Sequence, residues 1–141
     1  MALFKTVEVA NATGLLLDLL VAKADCLMSV IVDGCVFLAN AEGRPTRNFN
    51  PSSNATWACA IMDREEISVL RTDSDDYHVD KWAACKGSQQ RNTCGEGGGP
   101  YYQQYLSALT FGPTRYAAAM RCHVINRLGA RVRVPQDWPD A

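Results

Sequence analysis

Cys122 and His123 stand side by side near the C-terminal end of the chain, and a thiol beside an imidazole is a pairing that nucleophilic catalysis uses. Adjacency works against it here. Neighbours on a helix point about 100° apart, so the two neither share a face nor make a metal pair. The chain has six cysteines, Cys26, Cys35, Cys59, Cys85, Cys94 and Cys122, and nothing in their spacing selects a nucleophile. No CxxC pair starts a zinc ribbon or a thioredoxin-type site. The cysteines read as reduced thiols, several behaving as small buried hydrophobes. Neither a GxSxG elbow nor an HExxH pair is present.

Other chemistry-bearing stretches also fall short of their motifs. Cys94–Pro100, CGEGGGP, lacks the lysine of a phosphate-binding loop, and a proline follows where a helix would have to start. It reads as the end of a flexible connector over 87–100. Asp73, Asp75 and Asp76 resemble the start of a calcium loop, but His78 and Ala84 occupy the places that need Gly and Glu, so a solvated turn is expected. Neither a metal nor a cofactor is implied.

Two polar groups interrupt the apolar run Leu15–Ala24, namely Asp18 and Lys23. The simpler reading makes them the narrow wet face of a helix. The alternative is a polar patch at the edge of a pocket, because a charge within such a helix must reach water or a partner. Asn50-Pro51-Ser52-Ser53 precedes Trp57 in the same manner: Ser53 or Asn54 caps a helix, and Trp57 is expected in the core. Arg121, Arg127, Arg131 and Arg133 crowd the C-terminal end, where a solvated face and the helix dipole account for them.

The elements that must position these groups follow from pattern. Phe4–Val9 alternates and reads as a strand; Ala12–Ala24 reads as a helix covered on most sides. Met28–Val32 and Cys35–Ala39 flank Asp33-Gly34, a two-residue hairpin signal. Asn40–Asn54 reads as a polar loop, Trp57–Glu66 as a helix and Ile67–Leu70 as a strand. Strands are also expected over Tyr77–Cys85, Tyr105–Phe111 and Val132–Val134. Between the last two lies a helix bounded by Gly112 and Gly129, with Pro113 at its first position and Tyr116, Met120, Val124 and Leu128 as its apolar stripe. The mixture predicts an α+β fold in one domain over 1–141, helices packed on a mostly antiparallel sheet.

Composition narrows the function classes. With 141 residues, 48% hydrophobic, the chain can form a real core. Its net charge of -1 argues against general nucleic-acid binding, which leans on a basic surplus. The apolar run is far short of the roughly 20 residues that span a bilayer, and no secretory pattern surrounds it. A cytoplasmic protein with no membrane partner is expected.

Several of these blocks, in order, resemble phage NinX-like proteins. Thr13-Gly14 and the helix to Ala24 resemble that family's opening helix. Asn50-Pro51-Ser52, Trp57-Ala58 and Ile61–Ile67 resemble its middle block, and Trp82-Ala83-Ala84 a later strand. Gly112-Pro113-Thr114, Ala117–Cys122, Leu128-Gly129 and Val132–Pro135 resemble its closing helix and tail. Leu19 stands where the family usually has Trp, and the 85–102 insertion is longer than typical. The resemblance implies a small phage or prophage protein with an α/β/α sandwich and no assigned activity. The matching blocks, taken with the missing catalytic motif, lead to an expectation of binding by polar groups that the blocks share: Asp18, Lys23, Ser52, Trp57, Arg64 and Arg121. The expected function is thus an accessory binding protein, its partner a host or phage protein or a small ligand, with counter-defence as one setting. Two alternatives stand beside it: a small enzyme using a thiol or the Arg121/His123 face, and a homo-oligomer built on the apolar first helix.

Overall fold

The computed structural model describes residues 3–72, 81–86 and 109–140. Strand β1 (Phe4–Glu8) leads through a 3-10 turn (Val9–Asn11) into α1 (Gly14–Ala24). Then come β2 (Ser29–Val32), β3 (Cys35–Ala39), β4 (Pro45–Asn48), α2 (Ala55–Glu65) and β5 (Ile67–Arg71). The chain continues with β6 (Trp82–Lys86), β7 (Thr110–Gly112), α3 (Arg115–Leu128) and β8 (Arg131–Pro135). The architecture is mixed α+β with antiparallel pairing, as the pattern predicts. Among the described residues the strands divide into three ladders, β1-β8, β2-β3-β4 and β5-β6-β7.

Local chemistry explains most boundaries. Asp33 and Gly34 have φ of 50° and 76°, the two left-handed residues that a tight hairpin between twisted strands requires. They fix the register that places Val32 opposite Cys35. The Asn54 side chain caps α2 by accepting from the Thr56 N–H at 2.9 Å. Thr114 caps α3 through Oγ1, which accepts from the Ala117 N–H at 3.1 Å. Helix α3 therefore starts at Arg115, and Pro113 lies outside it rather than at its first position. The polar loop expected over Asn40–Asn54 contains β4. All four of its residues are exposed, so no apolar alternation marks it, and its register to β3 shifts at Leu38/Ala39.

One contiguous core runs through the described residues. Leu16, Leu17, Leu20, Val21, Phe49, Met120, Val124 and Val134 are at its centre, each essentially inaccessible. Helix α1 is buried by α3 and β3 of its own chain, which accounts for a leucine-rich helix with little polar face. Strands β1 and β8 bring the two ends of the described chain together, and Lys5 Nζ donates to the Trp138 carbonyl and to Asp140 Oδ1. Among the described residues, no helix is long and apolar enough to cross a membrane. The acidic turn expected at Asp73–Asp76 and the connector over 87–100 lie outside the described residues, as do Tyr77–Asp80 and Tyr105–Ala108 of two expected strands.

Candidate functional site

Helices α1 and α3 begin side by side, and a cleft of about 390 Å³ opens between their starts. Thr13, Gly14, Leu15 and Asp18 come from α1 and its cap; Pro113, Thr114 and Ala117 come from α3 and its cap. Asn50, Ser52 and Ser53 cross over from the approach to α2. The hairpin turn and the ends of β3 and β4 close the side with Gly34, Cys35, Val36 and Asn48. Two helix N-termini place partial positive charge at this end of the molecule. The Thr13 side chain makes no capping hydrogen bond, so its hydroxyl borders the cleft without that local engagement.

Asp18 supplies the opposite sign. It is only 6% exposed, and its Oδ1 accepts from the Ser52 N–H at 2.8 Å. Burial raises its carboxyl from 3.8 to about 6, against the lowering effect of hydrogen bonds from Ser52. The wet-face expectation for Asp18 is thereby corrected. Apolar neighbours on α1 leave it one direction in which to find a partner, towards the Ser52 backbone and the cleft. Among the described residues that line this cleft, none is Lys, Arg or His. Its donors are hydroxyls, amides and backbone N–H groups, and its charged acceptor is one carboxylate. Such a lining suits a neutral molecule carrying hydroxyls, each able to donate to Asp18 and accept from a neighbour.

A second hollow, about 330 Å³, shares Ser52, Ser53 and Thr114 with the first. Trp82, Tyr116 and Arg115 form the rest of its lining. The Arg115 guanidinium lies 5.8 Å from the Trp82 ring centre and 5.3 Å from that of Tyr116. Arg71 sits 5.8 Å from the Trp82 ring as well. A polar cleft thus lies beside a groove lined by flat, partly apolar groups, with Ser52, Ser53 and Thr114 bordering both.

Of the six residues expected to bind, the structure brings Asp18 and Ser52 together. Lys23 is exposed in the last turn of α1, where a cation suits the helix dipole. Trp57 is half-buried behind the cleft: its indole N–H donates to the Asn48 carbonyl at 3.0 Å, its ring meets Phe49 edge-on, and Arg47 covers it at 4.7 Å. Arg121 is buried, donating to the Ala12 carbonyl at 2.9 Å and the Phe111 carbonyl at 2.8 Å, so it ties the entry of α1 and β7 to α3. Sequence reasoning did not single out Thr13, Asn48, Asn50, Ser53 or Thr114 as binding groups. The available signal was the run of capping residues before each helix.

Arg64 belongs to an ion cluster at the other end of the helices. Glu65 accepts from Lys86 Nζ at 2.8 Å, Arg64 Nε at 2.8 Å and Arg127 Nη2 at 2.9 Å. The Lys86 hydrogen bond leads in pulling its carboxyl down to about 2, with Arg64 and Arg127 adding to it against the effect of burial. Asp25 meets Arg64 at 3.0 Å and the fully buried His123 Nε2 at 2.8 Å. Burial would raise the Asp25 carboxyl, but His123 and then Arg64 overcome it and hold it below its ordinary value. His123 Nδ1 makes no hydrogen bond among the described residues and lies 4.0 Å from Glu65 Oε1. The cluster joins the ends of α1, α2 and α3 to β6 and reads as structural.

The thiols separate by environment. Cys26, Cys35 and Cys59 are exposed; Cys85 and Cys122 are buried. Burial, with Cys85 close by, pushes the Cys122 thiol up to about 11 in spite of hydrogen bonds from Thr110 and Asn126. A thiol so held is the reverse of an activated nucleophile. Among the described residues, no three His, Cys, Asp or Glu side chains gather to hold a metal.

These features define a small α+β protein with one core among its described residues and a polar cleft at its helix starts. The chain belongs to the phage family described as Bacteriophage P22, NinX, whose model matches residues 8–127. The match takes in every residue lining the cleft and the adjoining groove. It leaves out β8 and all of β1 except Glu8. No curated protein matches the chain.

Proposed function

We propose that this phage protein works by binding a small hydroxyl-bearing molecule in the cleft between the starts of α1 and α3. The observation that carries this reading is Asp18, a carboxylate buried among leucines yet lining a cleft surrounded by hydroxyls and amides. An ionisable group kept in so unfavourable a place marks a candidate site on physical grounds. For a protein made during infection, such a cleft fits sequestering a host metabolite or signal in the host cytoplasm, and counter-defence is one setting for it. Asp18 and Ser52 hold the ligand directly. Lys23, Trp57, Arg64 and Arg121 support the scaffold around it.

Two features that favoured other classes serve the fold instead. The buried, proton-retaining Cys122 and the engaged His123 and Arg121 give an enzyme built on that face of α3 little to act with, while Cys26, Cys35 and Cys59 are exposed thiols. The apolar surface of α1, which would supply an oligomer interface, is covered by α3 and β3.

The test is a 1H–15N NMR titration with D-ribose, D-glucose and the four ribonucleosides. At least one should move the amides of Asp18, Ser52, Ser53 and Thr114 in the natural protein and leave them unmoved in Asp18→Ala. If none of the six moves these amides, the reading is wrong.

A further inference from the structure

The two hollows share Ser52, Ser53 and Thr114 and therefore lie side by side. The halves differ in chemistry. The first offers a carboxylate acceptor set among hydroxyl and amide groups, with no cation among its described lining residues. The second is lined by Trp82, Tyr116 and Arg115, with the Arg115 guanidinium over both rings at 5.8 and 5.3 Å and Arg71 also over Trp82. A carboxylate accepts both hydroxyls of a vicinal diol well, and it repels a phosphate placed against it. Flat rings and guanidinium planes favour a stacked heteroaromatic base. A molecule whose base is bonded to a sugar carbon next to a vicinal diol is a ribonucleoside.

We propose that the ligand is a ribonucleoside, its 2′,3′-diol donating to Asp18 and its base stacked in the Trp82–Tyr116–Arg115 groove. This rests on the reading of the cleft as a binding site and adds the chemical class of what enters it. Aromatic capture tolerates any base, because every base has a π face. Specificity among bases is therefore weak, and discrimination falls on the sugar.

Adenosine, guanosine, cytidine and uridine, each compared with its 2′,3′-dideoxy analogue and with D-ribose, provide the test. Affinity is read by NMR titration, with the Trp82 indole N–H as reporter of the groove. The expected result has three parts. Ribonucleosides bind at least about tenfold more tightly than D-ribose; the dideoxy forms lose about tenfold or more; and the Trp82 indole signal moves only when a base is present. Trp82→Leu should remove the advantage over D-ribose while D-ribose still moves the Asp18 amide. That last readout also shows that the variant is folded. Saccharides that move the cleft amides while ribonucleosides bind no better would overturn the nucleoside assignment and leave the cleft standing. If nothing moves the cleft amides, the cleft reading itself fails.

Discussion

The carboxylate of Asp18 and the backbone N–H of Ser52 meet at 2.8 Å, although 34 positions separate them in the chain. This bond fastens the approach to α2 onto the second turn of α1 and sets the floor of the cleft. It also leaves a buried acid whose ionisation works against the fold.

The sign follows from linkage. Asp18 rises from 3.8 unfolded to about 6 folded, so between those values the folded chain binds more protons and stability falls as pH rises. Its favourable contribution is complete below about pH 4 and gone once pH passes about 6. Asp18→Asn keeps an oxygen for the Ser52 N–H and removes the charge. The variant should be more stable than the natural protein by about 2 kcal/mol at pH 7.5 and about equal at pH 3.5. Urea denaturation at the two pH values measures it. Equal stability at both would mean that Asp18 ionises without cost.

Glu65 runs the other way. Its carboxyl is held at about 2, below the ordinary 4.5, so its stabilisation is present above pH 4.5 and lost as pH falls towards 2. Arg64 and Arg127 are about half exposed, and water screens the attraction. Glu65→Gln should cost about 1–2 kcal/mol at pH 7, less in high salt, and little at pH 2.5. Chemical denaturation across pH and salt checks each part.

Gly112 gives a steric prediction. A Cβ built there would lie 2.5 Å from the Ala118 nitrogen and 2.8 Å from its Cα, both backbone atoms that cannot swing away. Gly112→Ala should push α3 off β7 and cost about 3 kcal/mol. Gly34 has open space around it but a φ of 76°, so Gly34→Ala should cost only about 1 kcal/mol. Melting curves of the two variants should show the first much lower.

How much of this was legible in the sequence depended on the range of the interaction. The leucine run of α1, the Asp33-Gly34 turn and the Gly129 stop are local signals, and each element sits where its signal put it to within a residue or two. Strand β4 was missed because it is polar and exposed throughout; it exists only because β3 offers it an edge. The start of α3 moved from Pro113 to Arg115 because Thr114 outcompeted Gly112-Pro113 as the cap. Asp18 and Ser52 could be named from the family resemblance, but their contact could not, since nothing local announces a bond across 34 positions. The Glu65 cluster was invisible for the same reason: its partners come from α2, α3 and β6.

The most direct measurement uses Cys35, an exposed thiol that lines the cleft, with the exposed Cys26 and Cys59 as internal controls away from its lining. Iodoacetamide labelling resolved by peptide mass spectrometry gives a rate for each of the three. A saturating ribonucleoside should slow Cys35 several-fold and leave Cys26 and Cys59 unchanged. An unchanged Cys35 rate, or equal slowing at all three, would contradict a ribonucleoside bound in the cleft between α1 and α3.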